Sequence, residues 1–321
     1  MKKYLLYPLM YFFSIVVYVR NFLYNSKILP QINSNLPIIS IGNIQAGGTG
    51  KTPLVIALGK QLINQNIIPI IITRGYKRNT KNQIVVNNIN QHLAQEIGDE
   101  PYYIKQCLEK SPVIIDHNKK NAVRTANKLN GFDCIILDDG FQSRYINRNI
   151  DIALTSFSQI NNFNLMPVGL FREPISSLKR ADFVYNTKGK KLKENSIEER
   201  FQLIKYNQGK RELKTKINNE NSFIIFSGIA NPNHFISILK DMHIKIEKNI
   251  IFTNHVKYNI KKYEQLKKIN PNHLSFITTY KDFVKLNDTF KNTYTIYVLE
   301  MNFILNDNKL IKKIKGLVNE N

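Results

Sequence analysis

Residues 47–52 read Gly-Gly-Thr-Gly-Lys-Thr, and this stretch decides the fold class because of what flanks it. The apolar run Pro37–Ile41 precedes it as a predicted strand, and Thr52–Asn64 reads as a helix. Glycines let backbone amides curl around phosphate oxygens, and a helix N-terminus adds positive potential. The stretch therefore predicts a phosphate-binding loop. Its residues are Gly47, Gly48, Thr49, Gly50, Lys51 and Thr52.

The last two residues of this loop have the chemistry of a nucleoside triphosphate site. We expect Lys51 to reach the β- and γ-phosphates and the Thr52 hydroxyl to ligate Mg²⁺, so ATP and Mg²⁺ are the predicted cofactors. The strict motif has a glycine five residues before Gly50, where this chain has Gln45, so the loop is a variant. The alternative is a glycine-rich turn that precedes Lys-Thr by chance.

A second acidic segment has the form of a strand that ends in a carboxylate. The apolar run Cys134–Leu137 leads directly into Asp138 and Asp139, which a glycine follows. In a phosphate-loop protein such an aspartate faces Mg²⁺ or its water shell. Adjacent aspartates repel each other unless a cation lies near them. We therefore predict a metal site here without choosing between the two aspartates; a solvated turn is the alternative.

Short apolar runs alternate with helical stretches along most of the chain. Nearly continuous apolar strands separated by helices indicate a parallel sheet that is buried on both faces. The polar segment Lys188–Asn221 precedes a second series of strands and helices, which begins at Phe223. The prediction is an α/β protein with a phosphate-loop NTPase domain at 21–215. Its mostly parallel sheet has helices on both faces, and a smaller C-terminal α/β domain follows at 216–321.

Residues 1–20 are predicted to form a separate N-terminal helix. Lys2 and Lys3 precede the apolar segment Tyr4–Val19, and Arg20 closes it. This segment is shorter than the roughly 20 residues that span a bilayer comfortably. Its tyrosines and flanking cations favour a helix that lies on an anionic membrane surface. A spanning helix and a helix packed on the protein's own core are the alternatives.

The composition of the chain indicates which class of binding partner and which cellular compartment to expect. The 46 Lys and Arg residues exceed the 24 Asp and Glu residues, giving a net charge of +22, which favours anionic partners. A/T-rich codons, which encode lysine, could account for part of the excess. No basic run is interleaved with stacking aromatics, so no nucleic acid is predicted as a partner. Two cysteines exclude a disulfide scaffold and fit a reducing, cytoplasmic setting.

Six short motifs carry a resemblance to a known family. In chain order they are Gly42-Asn43-Ile44, Gly47–Pro53, Arg74-Gly75-Tyr76, Gly98–Pro101, Asp138–Gln142 and Gly169–Pro174. In order and spacing they strongly resemble the tetraacyldisaccharide 4′-kinases of lipid A biosynthesis. The resemblance implies transfer of the γ-phosphoryl of ATP to the 4′-hydroxyl of an acylated glucosamine disaccharide 1-phosphate. It also implies attachment at the cytoplasmic face of the inner membrane of a Gram-negative bacterium, peripherally or through the N-terminus.

With this reaction in view, further residues receive expected roles. A sugar hydroxyl needs a proton acceptor, and we expect Asp99 to be that base, with a helix N-cap as the alternative. Arg172 suits transition-state charge or a substrate phosphate, and Glu173 suits the metal or its water. A structural salt-bridge role is the alternative for these last two residues. Arg74 and Tyr76 are expected near the sugar or its 1-phosphate.

The resemblance also points to His255, in the second predicted domain, as a partner that orients Asp99 and tunes its pKa. A surface histidine is the alternative for this position. A different function remains open as well, namely a membrane-associated phosphate-loop ATPase or GTPase that switches a protein partner. The guanine-reading Asn-Lys-x-Asp motif is missing from the sequence, and Asp99 and the second domain have no obvious use in such a switch.

Overall fold

The computed structural model describes residues 4–75, 78, 80, 82–89, 94–156, 163–187, 197–208, 210–212, 221–229, 231–253 and 256–320. The chain forms two compact units. The first comprises Met1–Glu199 together with Phe303–Asn321, and the second comprises Arg200–Asn302. Each unit combines a largely parallel sheet with helices, which confirms the predicted α/β class.

The first unit contains a seven-stranded sheet in the order β3-β4-β2-β5-β1-β6-β7. All neighbouring strands are parallel except the β3–β4 pair. Every residue of the central strands β1, β2 and β5 is buried, which explains their continuous apolar sequences. The strands are β1 (Ile38–Asn43), β2 (Pro69–Thr73), β3 (Ile84–Val86), β4 (Val113–Ile115), β5 (Cys134–Asp138), β6 (Ile150–Thr155) and β7 (Phe183–Asn186).

The second unit is built on a six-stranded sheet in the order β11-β10-β12-β13-β8-β9. Its strand β10 pairs in parallel with β11 and β12, and β12 pairs in parallel with β13. The strands are β8 (Ile197–Asn207), β9 (Lys210–Arg211), β10 (Ser222–Ser227), β11 (Lys245–Ile251), β12 (Phe276–Thr279) and β13 (Ile296–Leu305). The polar segment Lys188–Asn221 therefore contains the long strand β8.

The α-helices of both units, in chain order, are α1 (Tyr7–Asn25), α2 (Lys51–Ile63), α3 (Ala94–Ile97), α4 (Asp99–Cys107), α5 (Lys119–Ala126), α6 (Pro232–Asp241), α7 (Ile260–Lys268), α8 (Tyr280–Phe283), α9 (Asp288–Thr293) and α10 (Asn308–Asn319). Helix α10 belongs to the first unit. It is capped by Asp307, whose side chain also accepts a hydrogen bond from the buried Tyr185 hydroxyl at 2.9 Å. A buried phenol needs such a partner, and this bond joins the C-terminal segment to β7.

Strand register in the first sheet places the predicted motifs side by side. In the β1–β5 ladder Ile41 pairs with Asp138, so the end of β5 lies beside the strand that leads into the phosphate loop. Helix α2 follows that loop and packs on β1 and β5. Helix α5 packs Ala122 and Val123 against Ile72 and other buried residues of the sheet. Burying a valine or isoleucine side chain contributes about 1.5–3 kcal/mol, so this packing stabilises the sheet whose strand ends carry the polar groups.

Helix α1 ends at Asn25, beyond the predicted end at Arg20, and has two distinct faces. Its inner face buries Met10 and Val17, which are seven residues, or about two turns, apart and therefore lie on the same side. Its outer face exposes large apolar side chains along its length, namely Leu9, Tyr11, Phe12, Ile15, Val16, Tyr18, Val19 and Phe22. Among the described residues, no helix has the length and apolar character that crossing a bilayer requires.

Candidate active site

The phosphate loop adopts the backbone that its glycines permit. Gly47 and Gly50 have positive φ angles of 116° and 83°, a region that residues with a side chain rarely adopt. The Asn43 amide donates a 2.7 Å hydrogen bond to the Thr49 hydroxyl inside the loop and holds its shape. A Cβ atom at Gly47 or Gly48 would meet no atom within 4 Å, so the loop backbone is open to a ligand.

Asp138, the last residue of β5, is buried with one oxygen paired. Its Oδ2 accepts a 2.9 Å hydrogen bond from the Thr73 hydroxyl, and its Oδ1 has no hydrogen-bond partner among the described residues. Burial and the nearby charge of Glu100 raise the pKa of Asp138 to about 6, against the opposing effect of Lys119. A buried, unpaired carboxylate oxygen is costly unless a cation or an ordered water satisfies it, so this residue fits a Mg²⁺ site.

Asp139 gathers two cations beside the loop. Lys51 Nζ lies 3.5 Å from its Oδ1, and one Arg172 nitrogen lies 3.2 and 3.1 Å from its two oxygens. Burial alone would raise the pKa of Asp139, but Lys51, Arg172 and Lys119 together hold it below its usual value. The ionised carboxylate therefore keeps both cations next to the phosphate loop. Its backbone has a φ of +50°, an unusual angle for an aspartate.

Lys119 belongs to this site and was not among the predicted site residues. It is buried at the start of α5, and its Nζ donates hydrogen bonds of 2.6 Å to the backbone carbonyls of both Asp138 and Asp139. Burial lowers the pKa of Lys119 to about 8, although both aspartates oppose the shift. The ammonium group thus fixes the turn in which the two carboxylates lie. The sequence feature that could have identified Lys119 is its position just after β4, because functional polar groups lie at the carboxyl ends of parallel strands.

Glu173 has a different role from the one expected. Its carboxylate is fully buried, and Arg180 binds it with two nitrogens at 2.8 and 2.9 Å. Arg20 and Asn21 of α1 and Gln142 contact the same two oxygens. This saturates the carboxylate, so in the structure Glu173 anchors α1 and is not placed as a metal ligand. The salt-bridge alternative therefore describes Glu173, whose ion-pair partners are Arg180 and Arg20.

The other predicted residues are placed only in part. Asp99 is the first residue of α4, and Gly98 occupies the capping position before it. Asp99 is therefore not the N-cap and lies in the first turn of the helix. Arg74 follows β2 and is exposed, and its charge acts on Lys119. Tyr76 and His255 lie outside the described residues.

In the described part of the chain, no group of three or more His, Cys, Asp or Glu residues is arranged to hold a metal ion. Mg²⁺ in nucleotide sites is bound through one or two carboxylates together with phosphate oxygens. Thr52 is the second residue of α2, and Asp138 is the last residue of β5. These two elements pack against each other. The protein side of the site therefore fits a metal that arrives with its nucleotide.

Comparisons with known proteins identify the family to which the chain belongs. The sequence profile described as tetraacyldisaccharide-1-P 4′-kinase, LpxK, matches residues 2–319. A tetraacyldisaccharide 4′-kinase of Flavobacterium psychrophilum is 31% identical, over 98% of this chain and 96% of that protein. One from Vibrio cholerae is 33% identical, over 88% of this chain and 84% of its own.

A solved structure gives the same relationship in three dimensions. The "apo" form of LpxK from Aquifex aeolicus in complex with ATP superposes with a TM-score of 0.84, covers 99% of both chains and is 27% identical. The structural match covers the second unit as well as the first, although the sequence motifs lie mostly in the first. With the profile match over nearly all of its residues, this chain belongs to the tetraacyldisaccharide-1-phosphate 4′-kinase family.

Proposed function

We propose that the protein transfers the γ-phosphoryl group of ATP to the 4′-hydroxyl of a tetraacyldisaccharide 1-phosphate, which yields the bis-phosphorylated lipid A precursor. The observation that carries the proposal is the pairing of Lys51 and Arg172 on Asp139, directly beside an open phosphate loop. Two cations held at one point match the negative charge that phosphoryl transfer gathers there. The acceptor is inferred from the relatives, which are tetraacyldisaccharide 4′-kinases.

ATP binding follows from the loop and from α2. The exposed backbone of Gly47 and Gly48 can donate amide hydrogen bonds to phosphate oxygens, and the N-terminus of α2 adds positive potential. Lys51, the first residue of that helix, then exchanges its contact with Asp139 for the β- and γ-phosphates. Arg172 remains beside it and stabilises the charge on the transferred group.

Thr52, Asp138 and Asp139 would hold Mg²⁺, and the orphaned Asp138 Oδ1 is the atom that supports this assignment. When bound, the ion neutralises phosphate charge and helps to orient the γ-phosphoryl group. Lys119 keeps both aspartates in place through their backbone carbonyls. Glu173 is left out of this ligand set because its oxygens are occupied by Arg180 and α1.

Asp99 accepts the proton of the 4′-hydroxyl. The oxygen–phosphorus bond to the sugar forms as the bond between the γ-phosphorus and the β–γ bridging oxygen breaks, and ADP leaves. A carboxylate alone is a weak base for a sugar hydroxyl, so His255 orients Asp99 and tunes its pKa. Arg74 and Tyr76 contact the sugar or its 1-phosphate.

Helix α1 holds the enzyme at the membrane surface where an acylated substrate resides. Its outer face exposes apolar side chains along its length, for example Leu9, Phe12 and Val16. An exposed apolar surface of this extent is typical of a membrane or protein contact. The cationic character of the chain suits an anionic lipid surface, which we place at the cytoplasmic face of the inner membrane.

The decisive experiment measures ATP consumption with and without the acylated disaccharide 1-phosphate in detergent micelles, and identifies the phosphorylated position by mass spectrometry and NMR. We expect turnover that depends strongly on the disaccharide and a product phosphorylated at the 4′ position. ATP hydrolysis that is indifferent to the sugar lipid would instead indicate a nucleotide-driven switch. A disaccharide with a blocked 4′-hydroxyl is the matched control.

A further inference from the structure

A single buried carboxylate connects the N-terminal helix to the active site. Glu173 is completely buried, and four side chains contact its two oxygens. Arg180 contributes two nitrogens at 2.8 and 2.9 Å, Arg20 one at 3.1 Å, and Asn21 and Gln142 one amide each at 2.9 and 3.2 Å. Burial alone would raise the pKa of Glu173, but these donors hold it below its usual value, so the group remains an anion.

Glu173 also lies next to groups that face the phosphates. Arg172 precedes it in the chain and contacts Asp139. The backbone amide of Arg172 donates a 2.7 Å hydrogen bond to the Ile44 carbonyl, in the segment that leads into the phosphate loop. The same Gln142 amide that contacts Glu173 also donates a 2.8 Å hydrogen bond to the Asn43 carbonyl. The position of Glu173 therefore constrains the Arg172 backbone and the start of the loop together.

The residues of α1 that reach Glu173 do not belong to its apolar outer face. Arg20 and Asn21 lie about one turn beyond the buried Val17, on the inner face. From the same end of the helix, the Asn25 side chain accepts a 2.8 Å hydrogen bond from Arg144. A helix that served as an anchor alone would need no polar inner face, because apolar packing would hold it. Two faces with different chemistry indicate two separate roles.

We propose that Glu173 is a positioning residue of the kinase and that α1 is a structural part of its active site. Arg20 and Asn21 hold Glu173, and Glu173 holds the loop that directs Arg172 at Asp139 and at the γ-phosphate. The expected effect on kcat rests on the proposed function, whereas the expected effect on nucleotide binding does not. It implies that α1 affects catalysis even where no membrane is present.

The test uses the full-length protein and the substitution Arg20→Met, which removes one ion pair of Glu173 and keeps the outer face of α1. In detergent micelles we expect kcat to fall about tenfold, which corresponds to an activation barrier higher by about 1.4 kcal/mol. The KM for the lipid should change less than twofold. Asn21→Ala is a milder second variant should Arg20→Met fold poorly. Arg124→Met, which removes an exposed arginine of α5, is the matched control and should retain the wild-type values.

A double-mutant cycle separates positioning from general damage. If Arg20 acts through Arg172, Arg20→Met should cost little more once Arg172→Met is present. An equal cost in both backgrounds, or an unchanged kcat in folded Arg20→Met and Asn21→Ala proteins, would overturn the inference.

A nucleotide-binding measurement distinguishes failure of the positioning role from failure of the proposed function. The ratio of ATP to ADP affinity, measured with fluorescent analogues and no acceptor lipid, should fall about tenfold in Arg20→Met if Arg172 is misplaced. A lowered ratio in a protein whose wild type phosphorylates no disaccharide would support the positioning role and reject the proposed acceptor. An unchanged ratio in a wild-type-active enzyme would reject the positioning role alone.

Discussion

The Thr73 hydroxyl donates a 2.9 Å hydrogen bond to one oxygen of Asp138 at the ends of the adjacent strands β2 and β5. This bond favours the charged carboxylate, whereas burial raises its pKa to about 6. The protonation state of Asp138 is therefore a balance between burial and a small number of contacts. Any change in those contacts should alter the pH dependence of the enzyme.

Removing the Thr73 hydroxyl should shift the acid side of the activity profile. Ionised Asp138 is the active form in our proposal, so kcat/KM for ATP rises as the pH increases through the pKa of the free enzyme. Thr73→Val removes a bond that lowers this pKa, so the acid limb should move to higher pH by about one unit, or about 1.4 kcal/mol. The measurement is kcat/KM from pH 5 to 8. Thr73→Ser keeps the hydroxyl and should keep the wild-type limb; a shift toward lower pH in Thr73→Val would contradict the assignment.

Lys51→Ala and Thr52→Ala should abolish most phosphoryl transfer without unfolding the protein. Loss of charge neutralisation or of a Mg²⁺ ligand should lower kcat by at least about 10²-fold, since each contributes several kcal/mol to transition-state stabilisation. Lys51 is partly exposed and pairs with Asp139, so its removal leaves no buried hole. Melting temperatures would verify the fold. Near-normal turnover in a folded Lys51→Ala protein would reject the phosphate-loop assignment.

Lys119→Met should reduce both stability and activity. The buried ammonium group satisfies two backbone carbonyls and offsets two carboxylates, so its loss should lower the free energy of unfolding by about 3 kcal/mol. The acid limb of kcat/KM should also move to higher pH, because the Lys119 charge lowers the pKa of Asp138. Chemical denaturation and the pH profile test these effects. Lys128→Met, at an exposed lysine beyond α5, is the control and should change neither quantity.

Asp99→Ala should lower kcat far more than it raises the KM for ATP, because a proton acceptor acts in the transition state. If His255 acts through Asp99, His255→Ala should also lower kcat, and the double variant should lose little more than the worse single one. Steady-state kinetics of the four proteins test this coupling. Strictly additive losses would mean that the residues work independently, and an unchanged kcat in His255→Ala would end that part of the proposal.

Polar substitutions on the outer face of α1 should release the protein from lipid. Phe12 and Ile15 are 67% and 62% exposed, so Phe12→Glu with Ile15→Glu removes apolar contact at little cost to folding. We expect weaker sedimentation with vesicles containing anionic lipid, since two charges oppose insertion into the interface. The matched pair Phe12→Leu with Ile15→Leu should sediment as the wild type does. Unchanged sedimentation of the glutamate variant at high salt would place the membrane contact elsewhere.

Local chemistry made much of the site predictable. The phosphate loop with the strand before it is one contiguous stretch, and the Asp138-Asp139 pair with its own strand is another. Spacing and hydrophobic pattern were therefore sufficient to predict both. Strand β5 was predicted with its observed bounds, Cys134–Asp138. Asp139 and Arg172 were both singled out for their charge, but their contact could not be read from residues 33 positions apart. Lys119 was missed because a lysine at a helix start is usually solvated, and its burial depends on the neighbouring strand ends.

The sequence by itself determined the fold class and the family and predicted which residues should contact phosphate, because each of these inferences rests on short contiguous patterns. The tertiary structure alone decided what the ionisable side chains do. Glu173 is suited to a metal by its charge and position, yet Arg180 and α1 surround it and make it an anchor. Likewise, the pKa values of Asp138 and Lys119 depend on burial and on charges distant in the chain. Electrostatic energy depends on distance and solvent exclusion in three dimensions, and neither is encoded at any one sequence position.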